Sequence, residues 1–211
     1  EGHRMNSTLP LLIFDTNILI DLWTQRDEGT ATTLVSLANT KAEILVPEFV
    51  REEFRGTAHT WIKAERRRVE LFEKNIASWK RPALLSAFAD GMSEATENAK
   101  KSIGILNANI DVIYHSIPTF ARIVPHTQAA HLKGELRYLS GRAPDGPLKG
   151  LKDCRIYEAV LEIAHGDHLN KRDRYFVTKD KDFRKESLID ELALLGVTLE
   201  HEVGKLYAAL R

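Results

Sequence analysis

Residues 11–23 read LLIFDTNILIDLW, and this stretch decides the fold class. Its first four residues form a short apolar run, which is typical of a fully buried β-strand. Asp15-Thr16-Asn17 ends the run, and the apolar residues that follow have helical spacing. The sequence therefore predicts a buried strand that passes directly into a helix, with Asp15 at the junction.

The same alternation of strand and helix is predicted at both ends of the chain. Helical spacing predicts a helix that has Pro47 in its first turn and another that Gly196 closes. The remaining predicted elements are strands at 44–46, 175–178 and 197–199 and helices at 30–41, 153–165 and 188–195. Strands that alternate with helices predict an α/β fold with a central parallel sheet.

The middle of the chain has a different pattern. Residues from about 57 to 149 show helical spacing with almost no convincing strand, and they end in a loop rich in Gly and Pro. We therefore predict one domain over 5–211, with a core at about 9–56 and 150–211 and a helical insertion between them. Residues 1–4 are interpreted as a cloning remnant. Interruptions of the insertion are expected at Pro82, Gly91, Gly104 and Pro118.

Composition excludes several classes of protein. The chain has 211 residues, of which 43% are hydrophobic and 28% charged, so a disordered or membrane-embedded protein is not expected. No apolar run approaches the roughly 20 residues of a membrane span, and no signal peptide is evident. The single cysteine, Cys154, excludes an intrachain disulfide and a cysteine zinc site, and it favours a cytoplasmic location.

Carboxylates occur where a parallel sheet would place a binding site. Asp15 follows the first predicted strand, Asp180 and Asp182 follow the strand at 175–178, and Asp153 opens a helix. Ligands of such sheets bind at the carboxyl ends of the strands, so these acids are expected to converge.

The helix that follows Pro47 offers a further acid. Glu53 shares an apolar stripe with Val50 and Phe54, whereas Glu52 lies about 100° away around the helix. Glu53 is therefore the acid that we expect to face inward.

Ionised carboxylates that share a cleft repel each other unless some are protonated or a cation holds them. Oxygen ligands suit Mg²⁺ or Mn²⁺, and such an ion can bind a phosphate oxygen and acidify a water molecule. The pattern therefore indicates hydrolysis of phosphodiester bonds. The alternative for each acid taken alone is structural: a helix cap for Asp15 and Asp153, and a solvated turn for Asp180 and Asp182.

Four of these segments resemble the motifs of PIN domains. They are Phe14-Asp15-Thr16-Asn17, Pro47 with Glu53, Asp153 at a helix start, and Thr178-Lys179-Asp180-Lys181-Asp182-Phe183. The resemblance covers roughly 9–55 and 150–200. It implies a three-layer sandwich of helices around a parallel sheet, an acidic Mg²⁺ or Mn²⁺ pocket, and endonucleolytic cleavage, usually of RNA.

The resemblance also implies a role for each matching residue. Asp15, Glu53, Asp153 and Asp180 would be catalytic residues and metal ligands, with Asp182 as an additional ligand or supporting acid. Hydrogen bonds from Asn17 and Thr178 would support the site. The chain is longer than the compact PIN toxins because of its insertion.

Two basic segments could bind the substrate. Residues 57–82 and 118–152 each carry a local charge of +4, although the chain as a whole is neutral. A phosphate backbone needs such neighbours beside an acidic centre. Trp61 and Trp79 either stack on bases or lie in the core. The predicted substrate-binding residues are Lys149, Lys152, Arg66 and Arg67.

Two other functions compete with a ribonuclease. One is a nuclease selective for DNA structures such as flaps, and the other is a non-catalytic module that binds RNA or protein. The expected partners are a nucleic acid, RNA before DNA, and either a second copy of the chain or a protein regulator. No membrane partner is expected.

Overall fold

The structure is a computed structural model, and it describes residues 9–24, 41–79, 83–142, 144, 150–202, 205–206, 208 and 210. The side chains of residues 79 and 83–87 are not described. The helix predicted at 30–41 lies almost wholly outside these ranges. Residues 1–4 and Lys149 also lie outside them.

In the part of the chain that the structure describes, five strands form one parallel sheet. They are β1 (Leu11–Phe14), β2 (Glu43–Pro47), β3 (Arg122–Val124), β4 (Arg174–Val177) and β5 (Val197–Glu200), in the order β3-β2-β1-β4-β5. Every pairing is parallel, and β1 lies in the middle. The four side chains of β1 are fully buried, as expected for a central strand covered on both faces. The predicted α/β fold with a central parallel sheet is confirmed.

Helices connect the strands. They are α1 (Thr16–Thr24), α2 (Glu48–Trp79), α3 (Ala83–Phe120), α4 (Gln128–Leu139), α5 (Leu151–Gly166) and α6 (Glu186–Leu194), with a 3₁₀ turn at Lys181–Arg184. Pro47, predicted in the first turn of a helix, is instead the last residue of β2 and precedes α2. A strand end tolerates proline because its missing N–H is not needed for the ladder. None of the described helices has the length and hydropathy needed to cross a membrane.

The chain divides into two compact units. The first contains residues 1–54 and 116–211 and holds the sheet, and the second contains residues 55–115. Strand β3 and helix α4 fall inside the range predicted as insertion, yet β3 pairs with β2 and α4 packs on α5. Strand β3 escapes detection because it has three residues, and its first side chain, Arg122, is exposed. An edge strand of that length has no apolar run to reveal it.

The second unit is built from the facing parts of α2 and α3. Their buried side chains include Ala58, Ile62 and Ile76 on α2 and Ala89, Ile103 and Ile110 on α3. The two helices are also joined by ion pairs between Arg55 and Asp111, at 3.1 Å, and between Lys100 and Glu73.

Helix α3 is not interrupted where the sequence predicts breaks. Gly91 and Gly104 lie inside the helix, with open space where a Cβ would project. Each glycine costs about 1 kcal/mol relative to alanine, which the buried face of the helix offsets. Pro118 lies in the last turn, where few residues remain to be disrupted. The predicted interruptions at these three positions are therefore wrong.

An ionic cluster stabilises the amino ends of the strands. The buried Asp167 carboxylate accepts hydrogen bonds from Arg172 Nη2 at 2.7 Å and from Arg174 Nε at 2.9 Å, and Arg172 Nη1 also donates to Glu43 at 2.6 Å. Burial by itself would raise the pKa of Asp167, but the hydrogen bonds from Arg172, Asn170 and Arg174 outweigh it and lower the pKa. This end of the sheet is therefore closed by paired charges.

Helices α4 and α5 approach each other closely at Gly134. A Cβ built on Gly134 would lie 2.8 Å from the backbone Cα of Arg155. No side chain fits there without moving the two helices apart.

Candidate active site

Asp15 lies at the carboxyl end of β1, and its carboxylate is buried with both oxygens engaged. Oδ1 accepts a hydrogen bond from the Thr16 amide at 2.6 Å. Oδ2 accepts one from Asn17 Nδ2 at 2.7 Å and one from Thr178 Oγ1 at 2.5 Å. The side chain is 4% exposed. The carboxylate is therefore held in one orientation.

These contacts do not match those of a simple helix cap. A capping carboxylate accepts from the second or third amide of its helix, whereas Asp15 accepts from the first amide of α1 only. Its other two donors are side chains, and one of them, Thr178, lies 163 residues away directly after β4. The adjacent pairing of β1 and β4 brings these two strand ends together.

Burial raises the pKa of Asp15 from 3.8 to about 6. Loss of hydration is the largest cause, and the hydrogen bonds from Thr178 and Thr16 oppose it. The negative charges of Glu53 and Asp180 raise the pKa further, so both are electrostatic neighbours of Asp15. Carboxylates from β1, α2 and the segment after β4 therefore act on one another at this edge of the sheet.

A hydrogen bond with Thr16 holds Glu53 at this edge of the sheet. The Thr16 hydroxyl donates to Glu53 Oε2 at 2.7 Å, and Lys152 Nζ lies 3.7 Å from Glu53 Oε1. The Glu53 side chain is 19% exposed, whereas Glu52 is exposed. Helical phase alone selected Glu53 over Glu52, and the structure orients the two residues in that way.

The segment after β4 is fastened by Thr178 and Asn17. Thr178 Oγ1 accepts from the Asp180 amide, and Asn17 Oδ1 accepts from the Lys179 amide, both at 3.0 Å. The Lys179 ammonium also forms an ion pair with the buried Asp21 of α1. These bonds hold the turn that carries Asp180 against the start of α1.

Asp180 and Asp182 differ in their placement. Asp180 is half-buried and caps the 3₁₀ turn, since its Oδ1 accepts from the Asp182 amide at 2.8 Å. Part of the role of Asp180 is therefore to cap this 3₁₀ turn. The Asp182 side chain is exposed.

Asp153 lies in the first turn of α5 and is half-buried. Its neighbour Lys152 pairs with Glu53, which places the start of α5 beside the Glu53 carboxylate. The partial positive charge at the amino end of a helix favours an acid there.

The carboxylates of this site have the chemistry that a hard cation requires, although they are not arranged as a complete coordination site. Among the residues that the structure describes, no three His, Cys, Asp or Glu side chains are gathered so that they could hold a metal ion. Each carboxylate has its own partners in this structure: three donors for Asp15, Thr16 and Lys152 for Glu53, and the Asp182 amide for Asp180. The residues fit Mg²⁺ or Mn²⁺ by their all-oxygen chemistry.

Other residues selected from the sequence belong to the second unit, have other partners, or fall outside the described ranges. Arg66 and Arg67 belong to the second unit, where they are exposed, and Trp61 is half-buried there. Glu158, five residues after Asp153, is buried and accepts from Arg137 Nε at 2.6 Å. Lys149 and the Trp79 side chain are outside the described part of the chain.

Three contributors to the site have no signal of their own in the sequence. Thr16 holds Glu53, and Lys179 pairs with Asp21. Thr16 lies between Asp15 and Asn17, which are both predicted site residues, and this position is the one sequence feature that could have indicated its role. The pairing of Lys179 with Asp21 depends on how β4 lies beside β1.

The family model described as PIN domain matches residues 12–183. The chain therefore belongs to the PIN domain family, a family of nucleases, and the predicted membership is confirmed.

Among solved structures, the chain is similar to one chain of the crystal structure of VapBC2 from Rickettsia felis bound to a DNA fragment from their promoter. The two share 11% sequence identity, the match covers 90% of this chain and 98% of that chain, and the TM-score is 0.40. No curated protein matches the sequence significantly.

Proposed function

We propose that the protein is a divalent-metal-dependent endonuclease that hydrolyses phosphodiester bonds in RNA. Its ligands would be Asp15, Glu53, Asp153 and Asp180, with Asp182 as an additional one. Membership of the PIN domain family supports the nuclease class. The observation that carries the metal dependence is the buried Asp15 carboxylate, whose pKa is raised by its burial and by the charges of Glu53 and Asp180. A cation would relieve both effects.

A bound Mg²⁺ or Mn²⁺ supplies a Lewis acid that binds a phosphate oxygen and acidifies water. The protein's own residues position the carboxylates that would bind the ion. Thr178 and Asn17 orient Asp15 by bonding to its Oδ2, and Thr16 orients Glu53. Such supporting hydrogen bonds fix the geometry of the ligands.

Lys152 fits the role of a contact to the substrate. It is 74% exposed, and its ammonium lies 3.7 Å from the Glu53 carboxylate. A cation held by Glu53 would take the place of this ion pair, and the Lys152 ammonium could then contact a backbone phosphate. We propose the same role for Lys149.

We also propose a cytoplasmic protein whose nucleic-acid partner is RNA, with a second copy of the chain or a protein regulator as a further partner. The single cysteine supports the location, because a chain with one cysteine has no intrachain disulfide that an oxidising compartment would maintain.

The test compares Asp15→Asn and Glu53→Gln with Glu52→Gln. The control removes the same charge one residue away on the exposed side of α2. We expect the two site variants to lose at least about 100-fold in cleavage rate, because even residues that only support metal ligands are worth 10–100-fold. Wild type and Glu52→Gln should cleave with Mn²⁺ or Mg²⁺ and stop in EDTA. Cleavage that survives EDTA and both site substitutions would refute the metal mechanism.

The substrate is settled by a second comparison under one condition. Single-stranded RNA, single-stranded DNA and flapped duplex DNA are supplied at equal concentration. The proposal requires RNA to be cleaved fastest, and preferential cleavage of the flap would contradict it. Calorimetry with Mn²⁺ decides the non-catalytic alternative, since RNA binding without any Mn²⁺ binding would favour a binding module.

A further inference from the structure

The second unit contains a basic groove between α2 and α3. It has a volume of about 490 Å³. The groove's polar lining is His59, Lys63, Arg66, Arg67 and Glu70 from α2 and Asn107 from α3. The α2 residues recur every three or four positions, so they lie on one face of that helix.

Among the residues that the structure describes, the cations of this groove differ from their neighbours in having no acidic partner. Within the described ranges, no carboxylate forms an ion pair with Lys63, Arg66 or Arg67, and all three are exposed. The adjacent Arg68, in contrast, pairs with Glu65. Lys100 of α3 likewise pairs with two glutamates. Three cations and Glu70 leave the groove with a net charge of +2.

We propose that this basic groove binds the phosphate backbone of a single-stranded nucleic acid. Three cations within two helical turns, none of them paired with a described carboxylate, repel one another, and a polyanion relieves that repulsion. The two guanidinium groups can each form paired hydrogen bonds to phosphate oxygens. The choice of a nucleic acid as occupant rests on the proposed nuclease function.

The shape of the groove favours a single strand over a duplex. With a volume of about 490 Å³, the groove is too small to enclose a double helix. The His59 imidazole is exposed and offers a ring on which a base can stack. Asn107 adds an amide donor and acceptor on the opposite wall. A positive groove with one aromatic ring is a known arrangement for binding single strands without sequence preference.

The experiment measures binding, so that it does not depend on cleavage. All proteins carry Asp15→Asn and are kept in EDTA, and fluorescence anisotropy follows a labelled single-stranded RNA of about 20 nucleotides. Arg66→Ala/Arg67→Ala is compared with Arg68→Ala/Lys101→Ala. The control also removes two positive charges, from exposed positions of α2 and α3. Thermal melting checks that both variants are folded, and Arg66→Lys/Arg67→Lys tests whether charge alone restores binding.

Two lost phosphate contacts should reduce the slope of log K against log salt by about 1.4 and weaken binding about 25-fold at 0.1 M salt. The control should stay within about 3-fold of the parent, and the lysine variant should retain most of the affinity. The same loss with DNA of the same sequence also supports the proposal. Equal weakening by the control would overturn it, as would an equal loss in binding of polyglutamate.

The outcome is separable from that of the proposed function. Cleavage is assayed in proteins that retain Asp15. If cleavage is found but the groove variants bind as well as the control, only the groove proposal fails. If no cleavage is found but the groove variants lose binding, only the nuclease proposal fails.

Discussion

In the metal-free protein, Asp15 should make the folded state less stable as the pH rises, and Asp15→Asn should remove that effect. The pKa of Asp15 is raised from 3.8 to about 6, chiefly by burial. Below pH 3.8 the group is protonated in both states and costs nothing. As the pH rises from 3.8 to 6, the unfolded chain releases its proton while the folded state keeps it, so the free energy of unfolding falls until the folded state is also ionised above pH 6.

The size of the effect follows from the pKa difference. A shift of about two pKa units corresponds to about 3 kcal/mol of lost stability above pH 7. About half of that loss should appear between pH 5 and pH 8, where the protein is convenient to study. Asn has nearly the same shape as Asp and carries no charge. Its oxygen can still accept from the Thr16 amide, and any lost hydrogen bond costs the same at every pH.

The assay is urea unfolding in EDTA at several pH values, followed by the fluorescence of the three tryptophans. The quantity of interest is the difference in unfolding free energy between Asp15→Asn and wild type. Glu43 and Asp167, whose pKa values are lowered by arginine hydrogen bonds that outweigh their burial, are present in both proteins and cancel. Asp190→Asn, an exposed acid of α6, is the matched control.

We expect the difference to grow by about 1.5 kcal/mol from pH 5 to pH 8, and Mn²⁺ at pH 8 to stabilise wild type but not Asp15→Asn. A difference that is flat with pH would refute the burial argument. Equal stabilisation of both proteins by Mn²⁺ would refute the role of Asp15 as a ligand.

Three further substitutions test the structure. Thr16→Val removes the hydroxyl that holds Glu53, so calorimetry should show Mn²⁺ binding weakened about 10- to 100-fold while the melting temperature is nearly unchanged. Gly134→Ala places a Cβ 2.8 Å from the Arg155 backbone and should destabilise the fold by about 1–3 kcal/mol in urea; an unchanged midpoint would show that α4 and α5 can separate freely. Asp167→Asn removes the buried charge that pairs with Arg174 and with Arg172, of which, in the described part of the chain, only Arg172 keeps a second acid, Glu43. It should cost about 3–5 kcal/mol, and a loss under 1 kcal/mol would argue against the ionic cluster.

The local sequence pattern was sufficient to predict those features that depend only on neighbouring residues. The apolar run of β1 and its abrupt end at Asp15 are both visible in LLIFDTN, because a central parallel strand is buried on both faces. The choice of Glu53 over Glu52 needed nothing but helical phase. Strand β3 was missed for the converse reason, since three residues at the edge of a sheet leave no periodic signal.

The sequence by itself determined the α/β class, the strand-end position of Asp15 and the oxygen-rich chemistry of the candidate site. Tertiary structure alone decided which groups contact one another. Thr178 meets Asp15 because β4 lies beside β1, and Glu158 is committed to Arg137 because α5 packs on α4. Local periodicity carries no information about strand order or helix neighbours, and those neighbours decide which charges are paired and which carboxylate loses its water.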